Sequence, residues 1–378
     1  MQLKAALLKT TLLAAIAASS LATPQFALAD AKPEIIGRLA QPVPDPSGIA
    51  VSSSNRVFLG FPRHADNHSW YALGELKNNK VEPYPDNKLG SVQNGNYQDW
   101  LVSPHGMYID KNDVLWVLDD GKRAGEQAIP EGAAKVIGID TKTNKVVHKL
   151  IIHKPVLNSG SHYNDLRVDL SHGTQGTVYI ANSGFKEHFS LVVIDIATDN
   201  QKEVLVNHYS TSPDAGFVAF LEGKPHKYDF NKQTFPLGGA DGIAISPDNK
   251  TLYWTALSSR NLYSIPTAIL SNFSQSESNI EKSVKFEGQH PANDGLAEDE
   301  KGNIYFGAFE QESLIKRDPA GNYSLIAHDE KNFGWPDGLA YKNHYLYVTL
   351  GQWNRLADLN GGKDLRKPPF LVMRVKVD

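Results

Sequence analysis

One phrase recurs six times along the chain, and it limits the architecture more than any other feature. Each copy reads polar residue, turn residue, short apolar run, polar turn, then an alternating strand. The copies are SGIAVSSSNRVFLG from Ser47, HGMYIDKNDVLWVLD from His105, NDLRVDLSHGTQGTVYIAN from Asn164, DGIAISPDNKTLYWTAL from Asp241, DGLAEDEKGNIYFGAF from Asp294 and DGLAYKNHYLYVTL from Asp337. The second residue of each pair stands at 48, 106, 165, 242, 295 and 338, giving steps of 58, 59, 77, 53 and 43 residues. Steps of this size match one propeller blade with loops of variable length. Within the copies, SPDNK (246–250), DEKGN (299–303) and DKND (110–113) are turn-forming clusters between apolar runs, so each copy is a hairpin. A lone sheet of this kind cannot bury both faces, so the sheets must stack around an axis. The pattern predicts an all-β, six-bladed β-propeller with four-stranded antiparallel blades around a central channel. A β-sandwich also has many short strands, but it gives no reason for a shared phrase at each start. Helical periodicity is weak, and PTAILSNF (266–273) is expected to form a turn or two at most.

The N-terminal segment stands outside this pattern. Lys4 and Lys9 precede a short apolar run at Leu12–Ala18, and Ala27-Leu28-Ala29 has the small-x-small form of a cleavage site. Residues 1–29 are therefore expected to be a cleaved signal peptide, with residues 30–378 forming a single propeller domain. The protein is expected to be exported, to the periplasm or the medium, and not membrane-bound once the leader is removed. The chain contains no cysteine, which removes disulfides, thiolate metal sites and cysteine nucleophiles together. Its net charge of −4, from 38 basic and 42 acidic residues, argues against nucleic acid or an acidic membrane as partner. A small-molecule ligand is the expected partner, with a second protein as the alternative.

In a propeller the innermost strand of each blade lines the channel. The residue before the turn glycine begins that strand, so Ser47, His105, Asn164, Asp241, Asp294 and Asp337 are expected around one rim. The following glycine can take positive φ and let the backbone turn tightly or approach a ligand. Each Asp-Gly pair, taken alone, is explained by a carboxylate capping its own turn. Three carboxylates converging by symmetry must instead raise one another's pKa or hold a cation. The oxygens of Asn164, Asp241 and Asp294 suit a hard divalent cation such as Ca²⁺. The thirteen histidines include no H-E-x-x-H and no paired spacing on one strand, so a zinc site is not expected. His162 and Tyr163 precede Asn164 and face either the cavity or a packed loop. Trp116, Trp254 and Trp335 read as core or rim aromatics, and Trp335 could also stack on a ring-shaped ligand. The long step between blades three and four carries an insertion at 208–230, either a lid or a packing loop.

Several segments carry a resemblance. LWVLDDG (115–121), NDLRVDL (164–170), VYIANSG (178–184), LVVIDI (191–196), DGIAISPDNKTLYWTALSSRNLYSI (241–265) and WPDGLAYKNHYLYVTLGQWNR (335–355) together resemble the Yellow/major royal jelly protein family. That resemblance implies a secreted six-bladed propeller that binds a small aromatic or amine-bearing molecule at the channel mouth. It also implies a dopachrome-tautomerase-like isomerase as one activity, with Asp337 or His105 moving the proton. More distantly, the chain is similar to the gluconolactonase/regucalcin group. By that likeness Asn164, Asp241 and Asp294 match residues that hold a divalent cation, and the function becomes metal-dependent lactone hydrolysis. The first-blade glutamate of that group has no match, because Asp45 or Ser47 stands there. A non-catalytic propeller that presents a surface to another protein is the third reading.

Overall fold

The computed structural model describes residues 31–93 and 95–377. The leader assigned to residues 1–29 lies outside the described residues. Among the described residues are six four-stranded antiparallel sheets, five of which run outward in sequence order from the innermost strand. The innermost strands are Ile49–Val51, Pro104–Ile109, Tyr163–Asp169, Ala240–Ile245, Leu296–Glu298 and Pro336–Lys342. They touch in sequence order, and the last contacts the first, so the ring closes. The sixth blade takes its outermost strand from the other end of the chain. Glu34–Leu39 pairs antiparallel with Phe370–Lys376, Leu39 facing Phe370 and Glu34 facing Arg374. Closure therefore rests on main-chain hydrogen bonds between the two ends of the propeller.

Burial explains why these segments are strands. Central strands are buried, throughout in Thr177–Asn182 and in all but the last residue of Ser190–Asp195, whereas outer strands such as Lys145–Ile151 are mostly exposed. Apolar layers fill the spaces between sheets. One joins Trp116 and Val136 to Val168, Ile180 and Ile194 across blades two and three, and another joins Tyr179 and Val193 to Ile243, Trp254 and Ile265 across blades three and four. Trp116 and Trp254 are core residues whose indole N–H groups are satisfied by Asp110 Oδ2 at 2.9 Å and Ser210 O at 2.8 Å.

Among the described residues the α-helical content exceeds the sequence expectation by one element, and four short 3-10 turns are also present. Thr267–Leu270 is the single turn expected near 266–273, but Glu277–Ser283 is a separate helix of seven residues. Its N-cap Ser276 accepts from Asn279 N–H, and only Ile280 is buried, so it has almost no apolar periodicity to detect. The insertion between blades three and four contains a hairpin, Val218–Leu221 with Lys224–Lys227. It packs Ala219, Leu221 and Phe235 against Phe309 and Trp335, so it is a packed element at the rim of blade five.

The recurring glycines have a different cause from the one expected. Gly48, Gly106, Gly242, Gly295 and Gly338 are absent from the positive-φ residues. A Cβ on each would instead lie 2.1–2.5 Å from a carbonyl oxygen of the next blade's inner strand. The oxygens are those of His105, Asn164, Asp294, Asp337 and Ser47 respectively. The absence of a side chain lets neighbouring backbones touch around the axis. Asp165 holds the equivalent place in blade three.

Gly242→Ala is expected to cost about 1–3 kcal/mol through overpacking, seen as a lower urea midpoint with an unchanged slope. Gly334→Ala is the control, because a Cβ there has nothing within 4 Å. Equal stability of the two variants would contradict the inter-blade role.

Candidate functional site

The polar-glycine pairs sit at irregularities in the inner ladders. Register shifts fall between Pro104 and Met107, Tyr163 and Leu166, Ala240 and Ile243, and Pro336 and Leu339. Such bulges re-aim side chains. Here His105, Asn164, Asp241 and Asp337 leave the ladder and face one end of the channel. Asp294 joins them from just ahead of its strand. Together with Trp335 these residues line a cavity of about 530 Å³. Ser47 is 1 % exposed and stands behind the wall, with its Oγ 3.4 Å from His105 Nδ1. The opposite end is closed by Arg167, which donates from Nε to both Glu298 oxygens at 2.9 Å and from Nη2 to Leu296 O at 2.7 Å.

A second layer of the rim escaped the sequence reading. Antiparallel strands return to the end they started from, so the loop after each blade's second strand lies beside the inner-strand starts. His64 and Ala65 follow Val57–Gly60, Phe185 and Lys186 follow Thr177–Asn182, Leu257 follows Thr251–Ala256, and Trp353 follows Tyr345–Leu350. Asp120 follows Val114–Asp119 in the same way, and the insertion contributes Gln233 and Pro236 to the mouth. The position just past each second strand is the signal that would have found them.

The carboxylates form a connected set. Asp241 Oδ2 accepts from Asn164 Nδ2 at 2.6 Å and from Ser183 Oγ at 2.8 Å. Asp294 Oδ2 accepts from the Trp335 indole at 2.5 Å, and Asp337 Oδ2 accepts from the Trp353 indole. Asp241 and Asp294 are near enough for each to shift the ionisation of the other. Burial pushes Asp241 up to about 7. Burial and then the Asp241 charge hold Asp294 well above the usual carboxylate range, and burial followed by the Asp294 charge does the same to Asp337. Asp165, the residue in the glycine place of blade three, is raised by burial to about 6 and adds its field to all three. The site therefore stores protons near neutral pH.

The histidines are less scattered in space than in sequence. His64, His105 and His162 place one ring nitrogen each within 4.8 Å of one another. His162 thus faces this cluster, whereas Tyr163 is core, its hydroxyl donating to Val156 O. Burial, followed by the neighbouring His162, drives His105 down to about 3. Burial also holds His64 and His162 well below the usual histidine range. All three are neutral imidazoles at physiological pH, so His105 is poorly suited to carry a charge.

The raised carboxylates have a consequence for stability. Unfolded aspartates ionise near 3.9, so the stability these acids contribute is present below that value and is lost as pH rises through about 7 for Asp241. Asp241→Asn can still accept from Asn164 and Ser183. It is expected to melt above the wild type at pH 8, with the difference shrinking towards pH 4. A constant difference across that range would contradict the raised values.

The major royal jelly protein family matches residues 102–364 of this chain. Major royal jelly protein 9 of Apis mellifera is 23% identical over 330 residues, covering 79% of this chain and 71% of that protein. Major royal jelly protein 3 of the same organism is 28% identical over 208 residues, covering 53% of this chain but only 35% of that longer protein. Among solved structures, a calcium-binding protein, regucalcin, from Agrobacterium tumefaciens aligns with a TM-score of 0.51 at 15% identity, over 91% of this chain and 96% of that one. A gluconolactonase from Xanthomonas campestris aligns with a TM-score of 0.50 at 12% identity, over 92% and 90%. At such identities the structural likeness concerns the fold alone. The sequence match spans most of the propeller and includes five of the six blade starts, and by it the chain belongs to the major royal jelly protein family.

Proposed function

We propose that the cavity binds a small aromatic or amine-bearing molecule and shifts a proton on it. The observation that supports this most is the buried Asp241–Asp294 pair with Asp337 beside it, walled by Trp335, Trp353 and Phe185. Flat apolar rings next to carboxyls that titrate near neutrality suit a conjugated molecule that gains and loses protons. An ammonium group would pair with the carboxylates and gain from the adjacent ring faces. Isomerisation would take a proton from an acidic C–H onto an ionised carboxylate. The protonated neighbour would return one to the far end of the conjugated system, leaving the proton count unchanged. Asp294, hydrogen-bonded by Trp335, suits the donor, and Asp241 suits the acceptor. Asp337, fixed by Trp353, suits the relay to the mouth. Export to the periplasm or medium follows from the apolar leader read in the sequence and belongs to the same proposal.

A second reading rests on one orphaned atom. Asp241 Oδ1 is buried and has no N–H or hydroxyl partner, which fits a cation as well as it fits a proton on Asp294. Asn164, Asp241 and Asp294 would hold a Ca²⁺ ion, with the Asn164 amide turned to present its oxygen. Such an ion would polarise a lactone carbonyl.

Both readings are tested on one preparation. Catecholamines and aminochromes are expected to quench cavity tryptophan fluorescence, and turnover in D₂O is expected to place deuterium on the ligand's acidic carbon. Asp294→Asn should lower that exchange by about 10²- to 10⁴-fold while leaving quenching by neutral catechols within a few-fold. Absence of both binding and exchange, together with lactone hydrolysis abolished by EDTA, would replace the first reading by the second.

A further inference from the structure

We propose that His64, His105 and His162 form a three-imidazole site for a late first-row divalent metal, zinc or copper, opening into the cavity beside the carboxylate rim. This site is independent of the proton-transfer reading and uses none of the residues assigned to Ca²⁺. Three observations carry it. The ligand nitrogens lie within 4.8 Å of one another. The ring pairs are 4.7–5.1 Å apart at their centroids, with His162 edge-on to both partners. Two of the nitrogens, His64 Nδ1 and His162 Nε2, are buried with no hydrogen-bond partner, and His162 is 1 % exposed. An orphaned imidazole nitrogen in a buried site carries a desolvation cost that a ligated ion removes.

The surroundings hold the rings in place. Ser103 Oγ accepts from the backbone N–H groups of both Arg63 and His64, at 2.9 and 3.1 Å. The buried Arg63 guanidinium is locked by backbone carbonyls, including Leu101 O, Val102 O and Gly90 O. His162 N–H donates to Asn182 Oδ1 at 2.9 Å. His105 is carried by the bulged inner strand of blade two. Asp120 is buried and its Oδ1 accepts from Tyr163 N–H, while its Oδ2 lies 3.1 Å from His162 Nδ1 and otherwise has no partner. A proton on Nδ1 satisfies that oxygen and leaves Nε2 as the ligand, the carboxylate–histidine arrangement that orients metal-binding imidazoles. Lys122 faces the cluster while donating to Ser161 O at 2.5 Å, and the Asp120 charge offsets it.

The donor set selects the ion. Three neutral imidazoles favour zinc or copper over Ca²⁺ and Mg²⁺, which prefer oxygen. Zinc–nitrogen bonds of about 2.0–2.1 Å in a tetrahedron place nitrogens about 3.3 Å apart, so the rings need to draw together by at most roughly 1.5 Å. The fourth position then faces the cavity lined by His64, His105 and Trp353.

The full chain, stripped with EDTA, is titrated with Zn²⁺ by calorimetry and elemental analysis. One zinc per chain is expected, retained against a large excess of Ca²⁺. His64→Ala and His162→Ala should each lose stoichiometric binding, Asp120→Asn should weaken it by about 10- to 100-fold, and the exposed His153→Gln should bind as the wild type. Copper electron paramagnetic resonance on the wild type needs no substitution, and hyperfine coupling to three imidazole nitrogens is expected. Absence of stoichiometric binding, zinc retained in both histidine variants, or an oxygen-dominated copper spectrum would each overturn the proposal.

Discussion

Where two inner strands meet, a glycine of one blade lies against a backbone carbonyl of the next, with no room for a Cβ between them. The contact recurs from blade one to blade two, two to three, four to five, five to six, and six back to one. It fixes how near each sheet comes to the axis and therefore how wide the channel is. The junction of blades three and four lacks the glycine and is joined by side chains instead. Asn164 and Ser183 both donate to Asp241, and Ser183 Oγ also reaches Ala240 O. Asp165, in the glycine place of blade three, adds a buried carboxyl whose charge acts on Asp241, Asp294 and Asp337.

The same geometry creates the chemistry. Because inner strands start in register around the axis, one polar residue from each blade arrives at a common rim, and the bulges turn these side chains inward. Burying several carboxyls in one place disfavours their ionisation, and Trp335 and Trp353 supply donors that settle individual oxygens. The Arg167–Glu298 pair seals the far end. The result is a cavity with acidic groups at one wall and neutral imidazoles at another. Ser47 stands just behind the wall, with its Oγ close to His105.

Much of this was legible in the sequence, for a reason tied to repetition. The blade count and the rim residues Ser47, His105, Asn164, Asp241, Asp294 and Asp337 follow from one phrase seen six times. The structure places all of them at one end, with Ser47 just behind the wall. The glycine beside each was also legible, but its cause was not, since a sequence does not show what a neighbouring blade puts opposite it. His64, Asp120, Phe185 and Trp353 were missed because the loops after second strands differ in length and composition and carry no shared phrase. The histidines illustrate the limit. His64 and His162 are 98 positions apart and meet only because both lie beside the inner strand that carries His105.

If burial and mutual repulsion act as described, the rim holds carboxylic acids still protonated near neutral pH. Infrared difference spectroscopy of the full chain across pH 5–9 measures this directly, through the carbonyl stretch that only protonated carboxyls show. Bands that persist at pH 7 and disappear selectively in Asp241→Asn and Asp294→Asn are the predicted result. A spectrum in which every carboxyl of the protein is ionised by pH 6 would contradict the account.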